Sequence, residues 1–590
     1  MENDKYKWNL GLLYKNEKDP QIEKDVVFIE NAYSKIEKKY KNKDFTKTPD
    51  QLFKALEDLE KINKTLSKKN PAWYFALRND LDSSDSYSQA METKIDQRLT
   101  IASNKITFFD LKIGKIPKKE QKKFLSYKPL SPFKYHLENI FENAKYNLTE
   151  KEEQLVSLLT QTSYTMWVDG QQKLQSQQTV EHNKKQIPIS EAISIISDLP
   201  KVERRELHKK VNTALKNISY FSEAEINSIY NFKKVIDQIR GYKNPYDSTV
   251  FGYENDPKTI EALIKSVTER FSISKRFYNL HARLLKERFL TLADRNSKIG
   301  TINKKFNFDS TVELVNKAFL RVGGKYSNFL VNFLNNKQID VFPKKGKKSG
   351  AYCWGSGENA TFVLLNHTDD IRSVETLAHE MGHAIHTELS KKQPPRYQNY
   401  SIATAEVAST FFEQLVNEEL ELHISEQEKV TLLHNKIMGD IITIFRQIAC
   451  FNFENELHGK IRQNGQVSKQ EIAKLMNKHL ASYMGSNFKF EEDDGYFFVY
   501  WSHIRRFFYV YSYAYGQLIS RALFQKWKKD NSYISKIDQF LSAGKSMSPK
   551  DIFKSIGIDT TDPKFFEEGL RAIDADITRL EKLAKKLKMI

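Results

Sequence analysis

Only two cysteines, Cys353 and Cys450, occur in 590 residues. Two cannot build a disulfide framework, and neither has a partner at metal-ligand spacing, so disulfide scaffolds and cysteine-based zinc sites are both excluded. Glycine and proline are sparse and scattered, and no repeat or low-complexity tract is built from them. A bilayer span needs about 20 residues nearly free of charge. The most apolar stretch, Tyr496 to Gly516, is interrupted by His503, Arg505 and Arg506, and reads instead as a buried helix. Met1-Glu2-Asn3-Asp4-Lys5 leads into no apolar signal-peptide core, which gives the expectation of a soluble protein in a reducing compartment, with no membrane partner.

What is present is a chain long enough, at 40% apolar content, to bury a large core or two in more than one lobe. Charged–apolar stretches such as Thr149 to Thr162 and Leu570 to Leu587 carry helical periodicity, and the few strand signals cluster between 340 and 370. The expectation is a mainly α fold. The net charge of +18 raises the question of nucleic-acid binding. Its excess is mainly lysine interleaved with acids, however, which suits solvated helix faces, and no nucleic-acid partner is expected. The densest clusters are Lys118-Lys119 with Lys122-Lys123, and the loop Lys344-Lys345-Gly346-Lys347-Lys348, which is placed to attract acidic groups or a peptide's C-terminal carboxylate.

His379-Glu380-Met381-Gly382-His383 is the most informative motif. Four residues along a helix advance about 400°, so the two imidazoles project from one face within about 40° of each other and can grip one ion. Zinc takes imidazole nitrogens readily, and a catalytic site keeps one position open beside three protein ligands. Glu380, adjacent but unbound, is then the general base toward water. Val374, Leu377, Ala378, Met381, Ala384 and Ile385 recur on the opposite side, predicting an amphipathic helix from about Arg372 to Leu389. Thr361 to Asn366 reads as a strand feeding that helix through a cap at Asp369-Asp370, and as an edge for pairing with a peptide.

The metzincin pattern requires glycine at 386 and histidine at 389, where the chain has His386 and Leu389, so that class is excluded. In Ala405 to Glu413, Glu406 and Glu413 lie seven apart, about 20° from each other on one helix face. Glu406 is assigned as the third ligand and Glu413 as the carboxylate that accepts the free N–H of a ligand histidine. The bland alternative for each is a solvated helix acid. Small residues at Ala405, Ala408 and Ser409 would let two helices approach closely. His386 shares the zinc face and is a further candidate ligand, assigned a substrate-facing or supporting role.

These residues, with Gly350-Ala351-Tyr352-Cys353, Ala405 to Thr410, the segment His503 to Gly516, Trp8-Asn9-Leu10 to Leu13-Tyr14, and Ser546 to Asp562, resemble the oligoendopeptidase F branch of the thimet-oligopeptidase and neurolysin-like zinc metallopeptidases. Asn9 and Phe412 are mild departures from the family pattern. The resemblance implies an elongated two-lobed neurolysin-like fold with a deep channel and a small β-sheet next to the zinc helix. It implies an N-terminal helical lobe over 1–200 that caps the channel and a catalytic lobe over 201–590. It further implies one Zn2+ per chain held by His379, His383 and Glu406, with Glu380 as base, and hydrolysis of internal bonds in short peptides. His503 with Tyr509 and Tyr513 would bind substrate and steady the oxyanion, with Tyr511 and Tyr515 as alternates and core packing as the competing role of each tyrosine. Gly350, Ala351 and Tyr352 would contact substrate. A bacterial cytoplasmic enzyme, monomeric or weakly oligomeric, is expected; the competing class is a non-enzymatic peptide- or nucleic-acid-binding protein with a structural metal.

Overall fold

Helices begin where the sequence offers capping side chains. Asp19 and Thr48 accept backbone N–H groups at the starts of Pro20–Tyr40 and Pro49–Leu66, and capping boxes at Thr149/Glu152, Ser425/Glu428 and Ser468/Glu471 open three more helices. The computed structural model describes residues 6–590, and the Met1 to Lys5 stretch read for a leader lies outside the described residues. The fold is mainly α with two small sheets. The expected helices appear as Glu150–Thr160, continued through a π-turn at Gln161–Thr165, and as Pro563–Lys586. Among the described residues no helix is long and apolar enough to cross a membrane.

The chain forms two compact units, each built from three segments. One comprises the residues up to Lys145, Lys304–Leu422 and Lys526–Gly557; the other comprises Tyr146–Asn303, His423–Gln525 and Ile558–Ile590. This interleaved partition differs from a contiguous division at residue 200, because the chain leaves the first unit after Lys145 and returns to it at Lys304.

Strands β1 (Thr179–His182) and β2 (Lys185–Pro188) form an antiparallel hairpin in the second unit. In the first unit β3 (Ile339–Asp340), β4 (Tyr352–Trp354) and β5 (Phe362–Leu364) form a sheet in the order β3-β5-β4. The strand expected as a free edge is therefore central: β5 pairs parallel with β3 and antiparallel with β4, leaving β3 and β4 as the outer strands. Trp8 braces this sheet by donating its indole N–H to the Val363 carbonyl at 2.8 Å and packing edge-on against Phe362. Asn9 caps the short turn after it through a hydrogen bond from Gly11 N, a job that needs only a side-chain oxygen.

The Tyr496 to Gly516 stretch is not one helix. It runs through a 3-10 turn ending at Tyr496, a single α-turn at Phe497–Tyr500 and a second 3-10 turn at Ser502–Arg505, and regains helix only at Tyr511–Lys529. Phe507 and Phe508 have φ of 43° and 62°, left-handed values that an α-helix of L-residues cannot contain. Side chains from distant helices hold the broken backbone. Thr249 Oγ1 donates to Phe507 O, Tyr230 donates to Ile504 O, and Phe508 N–H donates to Glu454. The Arg505 guanidinium grips Glu225 through two bonds of 2.6 and 2.7 Å.

Candidate metal centre

The motif helix spans Ile371–Ser390, with Asp370 accepting Ser373 N–H at 2.8 Å as its cap. Val374, Leu377, Ala378, Met381, Ala384 and Ile385 are all fully buried, so the predicted apolar face is the core face. The helix packs on Ile402–Glu421, which carries Glu406 and Glu413. Gly382 sits at the crossing, where its missing side chain leaves room for the backbone of Ala408 and Ser409.

The donor atoms of His379, His383 and Glu406 lie within 4.8 Å of one another. Glu406 Oε2 is 3.5 Å from His379 Nε2 and 3.8 Å from His383 Nε2. His379 Nδ1 is 3.1 Å from Glu413 Oε2, which holds the Nδ1–H tautomer and leaves Nε2 as the free donor. Ser409 donates to Glu406 Oε2 at 2.9 Å, orienting the carboxylate. The sequence pattern points only to the small size of Ser409, not to this bond.

Charge and burial suit a cation. Burial works against a charged His379, but the Glu413 hydrogen bond and the carboxylates of Glu413, Glu406 and Glu380 outweigh it and raise its pKa to about 9, so the local field favours positive charge. Burial lowers His383 to about 4, keeping its imidazole neutral as metal ligation requires. With the Nε2 proton of His379 displaced by the ion, two imidazole nitrogens and one carboxylate oxygen are a donor set that zinc accepts. Glu380 stands outside the trio. Burial raises it to about 7, with Glu406 adding to the rise and His379 and a backbone hydrogen bond from Cys353 opposing it.

A cleft of about 540 Å³ is lined by His379, Glu380 and Glu413 together with Gly350, Ala351 and Thr368. Gly350 and Ala351 are thus brought to the site, whereas the Tyr352 hydroxyl is directed to Asp80 at 2.6 Å. His386 does not line that cleft. It is 1% exposed and lies flat on Tyr400 at 3.8 Å between ring centroids, with burial pushing its pKa down to about 3. Two of the loop lysines are also committed: Lys347 is buried against Asp340 at 2.6 Å, and Lys348 pairs with Asp80 at 3.0 Å.

In the second unit His503, Tyr509 and Tyr513 form a cluster. The His503 ring centroid is 5.4 Å from that of Tyr509 and 6.2 Å from that of Tyr513, and the two hydroxyls are 3.5 Å apart. Burial, followed by the charges of Arg446 and Arg506, lowers His503 to about 4, so it is a neutral imidazole at pH 7. Burial raises Tyr509 and keeps its proton in place. Tyr511 and Tyr515 are fully buried; Tyr511 accepts from Asn255 Nδ2 at 3.0 Å and Tyr515 packs on Phe566, both as core residues.

Comparison with known proteins gives these clusters a context. A family model described as peptidase family M3 matches residues 319–572, and one described as Oligopeptidase F matches residues 112–174. Over these two stretches the chain is similar to peptidase family M3 and Oligopeptidase F. It is 26% identical over 568 residues to Oligopeptidase PepF of Bacillus subtilis, covering 93% of this chain and 83% of that one. It is 27% identical over 597 residues to an oligoendopeptidase F homolog of Borreliella burgdorferi, covering 99% and 98%. Its fold is shared with a crystal structure described as a candidate peptidase from Chlamydophila abortus (TM-score 0.85, 20% identity, 98% of both chains). It is also shared with oligoendopeptidase-F from Enterococcus faecium (TM-score 0.70, 17% identity, 96% and 99%). These matches support a metallo-oligopeptidase.

Proposed function

We propose that this chain is a zinc-dependent endopeptidase that hydrolyses internal bonds of short oligopeptides, with one zinc per chain held by His379, His383 and Glu406. The observation that carries the reading is the approach of these three donors to within 4.8 Å of one another from two crossing helices. Three protein donors are one fewer than structural zinc sites use, which leaves a position for chemistry. Zinc bound there would supply Lewis-acid polarisation of the scissile carbonyl and of the attacking water.

The protein's own groups then do the rest. Glu380, buried beside the three donors, accepts the proton of the attacking water at its carboxylate and returns it to the leaving amine. Glu413 keeps His379 in one tautomer, and Ser409 keeps Glu406 aimed. By family resemblance His503 with Tyr509 or Tyr513 donates to the oxyanion; a neutral imidazole and a protonated phenol are the states that role needs. The edge of β4 offers backbone groups for aligning an extended peptide. The test is cleavage of an internally quenched peptide of about ten residues with and without chelator. Chelator-sensitive cleavage at an internal bond, restored by stoichiometric zinc, is expected; cleavage indifferent to chelator would overturn the proposal.

A further inference from the structure

Arg295 and Arg446, both in the second unit, are among the guanidinium groups that have no carboxylate partner among the described residues. Arg295 comes directly after the short turn Leu292–Asp294, and Arg446 opens the helix Arg446–Asn464 directly after a π-turn at Ile441–Phe445. Such π-turns insert an extra residue and re-aim the next turn of helix, often at functional sites. The Arg295 guanidinium lies 5.2 Å from the Phe497 ring centroid and that of Arg446 lies 5.9 Å from Trp501, while the two rings are 5.3 Å apart. Beyond these rings, Arg295 Nη1 donates to the Leu292 carbonyl of its own turn, and Arg446 Nε is buried with no hydrogen-bond partner.

The acid whose charge reaches Arg295 is already occupied. Asp494 accepts from His208, Asn212 and the Glu491 backbone. Burial and the neighbouring charge of Arg446 both work against the charge on Arg295. Two like charges among aromatic rings, one with an unmet buried donor, are an unfavourable arrangement until an anion joins them. The pair also sits on the backbone that presents the candidate oxyanion donors, since Phe497 and Trp501 belong to the broken segment and Trp501 is 6.2 Å from His503 between ring centroids.

We propose that Arg295 and Arg446 bind the C-terminal carboxylate of the peptide substrate and anchor it on the segment that carries His503. The inference rests on the oligopeptidase reading. Planar guanidinium forks match a carboxylate's two oxygens, and the flanking Phe497 and Trp501 rings offer an apolar wall for the last side chain. Every short peptide carries such a terminus a few residues from any internal bond, and the interior of a protein chain carries none. The clamp therefore selects for length through charge.

The test uses one peptide as free acid and as C-terminal amide, each with an internal Glu or Gln, on the zinc-loaded enzyme and on Arg446→Gln, Arg295→Gln and Arg446→Lys. The wild type is expected to favour the free acid by roughly ten- to a hundredfold in kcat/KM, mainly through KM. Arg446→Gln is expected to remove that preference, with the acid losing more in kcat/KM than the amide, and Arg446→Lys keeps part of the preference. Equal turnover of acid and amide by the wild type, or an equal loss for both in Arg446→Gln, overturns the clamp. A preference that tracks the internal Glu overturns its assignment to the terminus. Calorimetric binding of the same peptides to Glu380→Gln reads the clamp without turnover. Tighter binding of the acid with no cleavage by the wild type sinks the peptidase reading and leaves the clamp standing, and cleavage without discrimination does the opposite.

Discussion

A side-chain carbon built on Gly382 would lie 2.6 Å from the Cα of Ser409. The glycine inside the histidine motif is there for its neighbour helix, because the two helices that carry the candidate ligands touch backbone to backbone at this point. Neither backbone can move aside without displacing His383 or Glu406. Gly382→Ala gains about 1 kcal/mol of helix propensity but forces the helices apart, an overpacking cost of about 1–3 kcal/mol. The expected result is a lower unfolding temperature together with weaker zinc binding in a competitive chelator titration. A variant as stable and as tightly metallated as the wild type would mean that the crossing can relax.

Glu380 is separable from the metal. Glu380→Gln is expected to retain zinc at one equivalent by elemental analysis and to lose kcat by about 10²–10⁴-fold. Substantial residual turnover would remove Glu380 from the proton path.

The two carboxylates of the second helix differ in rank. Glu413→Ala is expected to weaken zinc affinity by about 10–100-fold, the usual effect of removing a group that orients a ligand histidine. Glu406→Ala should weaken it further, and the reverse order in metal titrations would exchange their roles.

The buried pair formed by Arg505 and Glu225 fixes the broken segment. Glu225→Ala strands the guanidinium and is expected to cost about 3–5 kcal/mol in denaturant unfolding, and Glu225→Ala with Arg505→Met should recover part of that loss. A single variant with unchanged stability would show that the pair is dispensable.

Acid should destabilise the fold through its buried histidines. Burial lowers His136 to about 3 and His281 to about 4, with arginine charge adding to the effect and, for His281, the bond to the Asp294 carbonyl opposing it. Between pH 6.5 and 4 the unfolded chain takes up protons that these folded imidazoles refuse, so stability falls as pH drops through that window. Each group contributes at most about 1.4 kcal/mol per pH unit. His281→Gln is expected to flatten the slope of unfolding free energy against pH measured from 7.5 to 4.5, and an unchanged slope would count against the assignment.

The motif helix is legible in the sequence almost to the residue, Arg372 to Leu389 against Ile371–Ser390, because its apolar period, its acidic cap and its ligand spacing all lie within twenty positions. Glu406 and Glu413 are legible for the same reason. The break at Phe507 and Phe508 is not. The groups that hold it, Thr249, Tyr230, Glu225 and Glu454, come from positions far along the chain, and local periodicity does not register them. The hairpin β1–β2 escapes the pattern because its strands are four residues long and mostly exposed. β5 is central rather than the expected edge, because β3, which pairs with it on one side, is two residues long and gives no sequence signal.

Trp8 reaches across 355 positions to the carbonyl of Val363, in the strand beside the motif helix. During synthesis the indole has nothing to dock on until the sheet residues have emerged, so this portion of the unit that carries the candidate ligands completes itself late. A protease that nicks the chain beside the tryptophan, or a fusion partner crowding it, would act on catalysis from a distant stretch of polypeptide without touching a single ligand.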